Sequence, residues 1–131
     1  MLWWSVDETG QDSAECMFCK IVAGELPSRE VYSDSEVYAF KDISPVAPVH
    51  VLLVPREHVT FIHTTGAAQQ ALLGRLLQTV PKIAEEAGLT QRGYRIVVNQ
   101  GPNAGQMVDH LHLHVLGGEP LAPMGVRRVE S

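Results

Sequence analysis

Three of the chain's six histidines stand at alternating positions, His110, His112 and His114, in the segment Asp109-His-Leu-His-Leu-His-Val-Leu-Gly-Gly118. An extended strand sends successive side chains to opposite faces. This spacing therefore puts three imidazoles on one face and Leu111, Leu113 and Val115 on the other. The apolar face belongs in a core, which leaves the titratable rings facing a cleft or solvent. Immediately upstream, Asn99-Gln-Gly-Pro-Asn-Ala-Gly-Gln-Met107 is a loop whose Gly101 and Gly105 can bend backbone amides around an anion. Such a loop also serves turn geometry alone. Because this one opens into the histidine strand, it brings N–H donors and imidazoles to one small volume.

A second group is Cys16-Met-Phe-Cys19, which holds the chain's two cysteines at the spacing of a zinc half-site. A dithiol redox pair, or two thiols packed under a helix, fits the same fragment. The histidines themselves could hold a catalytic metal. His110 and His114 would stand ~13 Å apart on a regular strand at ~3.3 Å per residue, too far to share an ion. Two of them at i, i+2 together with His50 remain a workable set.

The elements that must position these groups are short. A helix is expected from about Glu15 to Ala23, stopped by Gly24 and Pro27. Strands follow at about Glu30–Tyr32 and Val37–Lys41, joined by the turn Ser33-Asp34-Ser35. The Pro-interrupted loop Asp42–Pro48 leads into a buried strand, Val49–Val54, with His50 its one polar residue. Leu72, Leu73, Leu76, Leu77, Val80, Ile83, Ala84 and Ala87 recur at helical spacing, which predicts one long helix over Gly66–Ala87 with Thr64 or Thr65 as N-cap. Pro81 inside that pattern predicts a kink or break near Leu77. Strands at Tyr94–Asn99 and His110–Leu116 complete an α+β fold: an antiparallel sheet of about five strands, one long helix and a short N-terminal helix.

Composition narrows the function classes. A chain of 131 residues with 45% hydrophobic and 19% charged residues reads as one soluble globular domain, over 15–131, preceded by a flexible arm over 1–14 whose Trp3 and Trp4 offer indoles to a partner. A net charge of −5 argues against binding a nucleic acid polymer, which needs a basic face. The opening MLWWSVDETGQDSAE has neither a basic segment nor a long apolar run, and no stretch reaches the ~18 apolar residues of a membrane span. The expectation is a cytoplasmic protein that does not engage a membrane.

The pattern Asn99-x5-Gly105-Gln-x-Val-x-His-x-His-x-His-Val-Leu-Gly-Gly resembles the signature of the histidine-triad superfamily, and its Leu-Gly-Gly ending is similar to the Hint branch. Phe18, Lys20-Ile21, Ala39-Phe40-x-Asp42-Ile43-Ser-Pro45, Pro48-x-His50 and Val54-Pro-x-x-His58 carry the resemblance from about Cys16 to Met124. It implies a homodimeric nucleotide hydrolase or transferase acting on nucleoside 5′-phosphoramidates and related acyl-nucleotides, with purine nucleotides as usual ligands. A neutral imidazole is a competent nucleophile toward phosphorus, and its product is a nucleotidyl-histidine.

By this resemblance His112 is the nucleophile, His114 and the amides of Gly105, Gln106 and Met107 hold the phosphate, and His50 stands beside the cluster. Asp42 takes the ribose hydroxyls and Asn99 lies near the phosphate. Phe18, Ile21, Phe40 and Ile43 resemble the apolar slot for the base, with ordinary core packing an equal reading of Phe18 and Phe40. The resemblance also implies a closed structural zinc site of Cys16, Cys19, His58 and His110, with no metal needed for catalysis. His63 reads as an exposed loop residue. Many Hint-type sequences carry Ser or Thr where this chain has Met107, which cannot donate a proton to a leaving amine. Asp109 reads as a turn carboxylate that could take over part of that proton handling. A nucleotide-binding regulatory module with little turnover is therefore the alternative from a different class.

Overall fold

In the computed structural model, residues 15–123 are described. The expected arm over 1–14 and the end of the expected domain, 124–131, lie outside them. Short helix α1 spans Met17–Val22 and is followed by β1 (Glu30–Ser33), β2 (Val37–Lys41) and β3 (Val49–Pro55). Long helix α2 spans Gln70–Glu86, and β4 (Tyr94–Val97) and β5 (Leu113–Gly117) complete an antiparallel sheet of order β1-β2-β3-β5-β4. The chain is thus α+β as its pattern predicts. Among the described residues, no helix is long and apolar enough to cross a membrane.

The sheet is apolar on both faces, and strand alternation divides its side chains between two layers. Val51 and Leu53 of β3, Val37 and Ala39 of β2, and Leu113 and Val115 of β5 join Leu72, Leu76, Val80, Ile83 and Ala84 of α2 in one buried cluster. The opposite face carries Tyr38, Phe40, Leu52 and Val54, covered by Cys16, Phe18 and Ile21 of the N-terminal segment. Phe18 and Phe40 meet edge to face with ring centres 5.6 Å apart. Leu52 pairs with His114 and Leu116 with His50 across β3 and β5, so these two histidines share the α1 side of the sheet.

Several boundaries differ from the sequence reading, for identifiable reasons. β5 begins at Leu113, so His110 and His112 lie ahead of the ladder. The cause is Pro55, which ends β3 and has no N–H to continue the pairing; the last matched pair is Leu53 with Leu113. The Leu111 N–H bonds instead to the Val59 carbonyl at 2.6 Å. Leu111 still enters the α2 cluster while His110 and His112 face α1, so the alternation survives without the ladder.

The long helix starts at Gln70 with Gln69 at its cap. Thr64 and Thr65 are not its cap, because 3₁₀ turns at Ile62–Thr64 and Ala67–Gln69 precede it and the threonine hydroxyls bond back to the Phe61 and Ile62 carbonyls. The helix runs through Pro81 without a break. Leu77, whose carbonyl Pro81 cannot serve, lies on the exposed side of α2, where water can take the missing donor's place. β4 ends at Val97, two residues before Asn99, and α1 is shorter than expected at both ends.

Gly118 adopts φ +100°, and a Cβ there would stand 2.9 Å from Pro48 Cβ, so both conformation and space require glycine where the chain leaves β5. Leu76 is 1% exposed at the centre of the α2 cluster. Leu76→Ala is expected to lower unfolding stability by about 2–5 kcal/mol in denaturant titration, whereas the same change at exposed Leu77 is expected to cost under about 1 kcal/mol.

Candidate active site

His50 from β3 and His114 from β5 are brought together by the strand pairing, with His50 Nε2 2.9 Å from His114 Nδ1. The protons on these rings follow from their fixed partners. His50 Nδ1 accepts the Val46 backbone N–H at 3.2 Å, so the single hydrogen of neutral His50 sits on Nε2. That hydrogen faces two acceptors, His114 Nδ1 and the Asp42 carboxylate at 3.3 Å. His114 consequently carries its own hydrogen on Nε2. His112 Nδ1 donates to the His110 backbone carbonyl at 2.7 Å, which leaves the Nε2 lone pair as the reactive end of that ring. The His112 and His114 ring centres are 5.1 Å apart, and Phe18 meets His112 edge to face with ring centres also 5.1 Å apart.

Burial disfavours the charged form of these rings. Desolvation lowers the affinity of His50 and His112 for protons, opposed at His50 by Asp42 and at His112 first by the bond to the His110 carbonyl and then by Asp42. His114 is pushed down to about 4, chiefly by burial and then by its neighbours His112 and His50, while Asp42 pulls the other way.

The other expected nucleotide contacts are placed less uniformly. Asp42 is half-buried, and its Oδ1 accepts the Ser44 N–H at 2.7 Å, fixing the start of the Asp42–Pro48 loop. Ile21 is packed beside Phe18 and Phe40, but Ile43 is 97% exposed on the rim of a groove of about 920 Å³ that Asp42, Pro45, Pro48 and His50 also line. Asn99 is half-buried just past β4. Gly105 takes a left-handed φ of +85° in its turn.

The Gly105 and Gln106 N–H groups already bond to the Pro102 and Gly101 carbonyls. The Gln106 side chain braces the loop through Gly101, Val108 and Thr60. Of the three amides expected to form the cradle only that of Met107 is left without a described partner, and the neighbouring Val108 amide, which was not expected there, is likewise unpaired among the described residues. Met107 is 88% exposed. Asp109 is half-buried and its carbonyl accepts the Thr60 hydroxyl, and exposed His63 stacks on Phe61. Reading residues alone missed the Val46 amide and the His110 carbonyl, because backbone groups leave no mark on residue type.

Cys16, Cys19, His58 and His110 come together with ligand atoms all within 4.8 Å of one another, a cluster that can hold a metal ion. His110 Nε2 donates to the Pro55 carbonyl at 2.8 Å, which leaves Nδ1 as a lone pair 3.3 Å from Cys16 Sγ and 3.5 Å from Cys19 Sγ. His58 Nδ1 lies 3.2 Å from Cys19 Sγ. Sulfur and nitrogen ligands on one tetrahedral ion sit ~3.5 Å apart, given bonds of ~2.3 and ~2.0 Å, so the four side chains fit such an ion with little movement. Burial and the adjacent Cys16 push the Cys19 thiol up to about 12, opposite to the acidified thiol of a redox pair.

Asp42, His50 and His114 also lie within 4.8 Å of one another. His50 Nε2 carries a hydrogen here and faces His114 Nδ1 and the Asp42 carboxylate, so these three side chains form a hydrogen-bonded chain.

Residues 23–121 match the model of the HIT domain. The chain belongs to the HIT domain family. It is 44% identical over 110 residues to a purine nucleoside phosphoramidase of Escherichia coli K12, covering 84% of this chain and 92% of that one. It is 48% identical over 110 residues to an uncharacterized HIT-like protein of Synechococcus elongatus, covering 84% and 96%.

Among solved structures, a HIT family hydrolase from Clostridium thermocellum superposes with TM-score 0.81 at 43% identity, covering 85% of this chain and 96% of that one. A histidine triad protein from Clostridium difficile gives 0.80 at 41% identity, covering 83% and 95%. This HIT protein is thus homologous to a HIT family hydrolase over 85% of its length.

A histidine depressed to about 4 stays neutral while an ordinary imidazole, near 6.5, takes up its proton. Native His114 therefore binds fewer protons than the unfolded chain between these values, and its contribution to stability falls as pH drops from 6.5 toward 4. In a proton NMR titration the His114 ring signal is expected to stay constant from pH 8 to 6 and to move near 4. A midpoint near 6.5 would contradict the burial and tautomer assignment.

Proposed function

We propose that this protein is a nucleotide-binding hydrolase or transferase that cleaves nucleoside 5′-phosphoramidates or acyl-nucleotides through a covalent nucleotidyl-histidine on His112. The observation that carries this reading is the His112 Nδ1–H bond to the His110 carbonyl, which directs a neutral Nε2 lone pair away from the backbone. Similarity to the Escherichia coli phosphoramidase supports the substrate class. In the proposed reaction Nε2 attacks phosphorus, the bond to the leaving group breaks, and the leaving group departs with the electron pair. Water then attacks the nucleotidyl-His112 adduct, releasing the nucleoside monophosphate and returning the ring to its neutral form.

His114, with its Nε2–H, and the Met107 and Val108 amides stabilise the phosphoryl oxygens, while His50 holds the His114 tautomer. Asp42 takes the ribose hydroxyls, with the base against Phe18, Ile21 and Ile43 and with Asn99 and Gly105 shaping the phosphate side. Dimerisation through β4 completes the reading, since this strand is at the sheet edge with Ile96 exposed. Zinc is the ion proposed for Cys16, Cys19, His58 and His110. It would tie α1 to the sheet as a closed structural centre, and no catalytic metal is invoked.

The regulatory-module reading is favoured by one feature, the exposed thioether of Met107 in place of a proton-donating hydroxyl. Brief exposure to an adenosine phosphoramidate followed by intact-mass measurement distinguishes the two. A nucleotidyl adduct in the wild type that is absent from His112→Ala supports the enzyme, and binding with no adduct or turnover supports the module. Met107→Ser is expected to raise phosphoramidate turnover by about 10- to 100-fold if the hydroxyl acts as a general acid. It should leave acyl-adenylate turnover nearly unchanged, because a carboxylate departs without a proton. An unaltered phosphoramidate rate would mean that leaving-group protonation does not limit the reaction.

A further inference from the structure

The candidate nucleophile and the cysteine–histidine cluster meet in a single residue. The ring of His110, 0% exposed, points its Nδ1 lone pair at the sulfurs of Cys16 and Cys19, while its own carbonyl receives the His112 Nδ1–H. A shift of the His110 backbone moves both, so whatever fixes this residue in place also fixes the acceptor of the His112 hydrogen. A second link runs through α1, because Phe18 lies between the two cysteines in sequence and presents its ring to His110 at 6.0 Å, to His112 at 5.1 Å and to Phe40 at 5.6 Å.

The polar ties of Cys16–Val22 to the rest of the fold are few among the described residues. Beyond the backbone bonds of the turn that directly follows it, Ala23 to Leu26, they are the cysteine–histidine contacts and one bond from Arg56 to the Val22 carbonyl. His58 is held no more firmly, since its Nε2 is buried without a partner and its polar contact is Cys19. Thiol–imidazole contacts at 3.2–3.5 Å are weak and adaptable, whereas coordination fixes each donor to within about 0.2 Å.

We propose that the Cys16–Cys19–His58–His110 cluster acts as a positioning centre for the nucleotide site: a tetrahedral cation bound there locks His110 and α1, and thereby the His112 Nδ1–H bond and the Phe18 contact. Nucleotide affinity and nucleophile alignment then depend on cation occupancy, which a purely structural staple would not require. The inference rests on the reading that the cluster takes a cation and that the His112 pocket takes a nucleotide.

The test uses the full chain, stripped with a chelator and reloaded with one equivalent of Zn²⁺, each form titrated calorimetrically with adenosine 5′-monophosphate. Reloading is expected to tighten binding by about tenfold or more, the usual scale for a partner that orients a ligand. It should also sharpen the low-field proton resonance of His112 Nδ1–H. Cys19→Ser should show the weak affinity and broadened resonance with or without zinc. Stoichiometric zinc binding that raises the melting temperature but leaves both readouts unchanged would overturn the proposal and mark the cluster as structural only. If no zinc is retained, the cation reading falls and the coupling with it. If the monophosphate binds in neither form, the nucleotide reading falls, and the His112 resonance alone decides the coupling.

Discussion

A neutral imidazole has one hydrogen and one lone pair, and in this protein the fixed partners of each ring determine which nitrogen carries which. The Val46 amide donates to His50, His50 then donates to His114, and the His110 carbonyl takes the hydrogen of His112. None of these assignments is free to change while the rings stay buried, because an unpaired N–H or an extra charge there would be costly. The result is one ring offering a lone pair and another offering a hydrogen, both preset by the backbone.

The sheet makes that arrangement affordable by separating two jobs between its faces. Leu111, Leu113 and Val115 bind the strand region to α2 and hold it in place, so the histidines between them need contribute nothing to that core. On the other face the short helix supplies Phe18 and Ile21 as cover. Antiparallel pairing of β3 with β5 sets His50 and His114 side by side, although they are 64 residues apart in the chain. The ladder's end at Pro55 has a further consequence. Released from pairing, the chain around His110 can turn its ring toward Cys16 while its carbonyl serves His112.

The acidic chain holds its proposed anionic ligand by local polarity instead of net charge. A net charge of −5 offers no long-range attraction, so affinity must come from oriented N–H groups and from a carboxylate that accepts hydroxyl hydrogens. Asp42 is poised between such a role and the His50 ring, and Ser44 fixes its other oxygen. The proposed sugar contact and the histidine chain would therefore share an acceptor. Gln106 illustrates the complementary point, because its backbone amide, expected at the phosphate, is bonded to the Gly101 carbonyl and its side chain braces the same loop.

Residue order alone determined the α+β class, the five strands, the long helix and the division of the histidine segment into an apolar and an imidazole side, while the composition of the cysteine–histidine group came with the resemblance to the histidine-triad superfamily. These features follow from periodicity and spacing, which are local properties of the chain, or from a motif whose residue types are distinctive. Element ends were less legible, since Pro55, Pro81 and the turns before α2 act through which hydrogen bonds the neighbours can still make. Tertiary structure alone decided the tautomers, the neutrality of His114, the double use of His110 and the full exposure of Ile43 and Met107. Each of those depends on a backbone amide, a carbonyl or a burial depth contributed by a distant segment, and no residue type at the position itself encodes it.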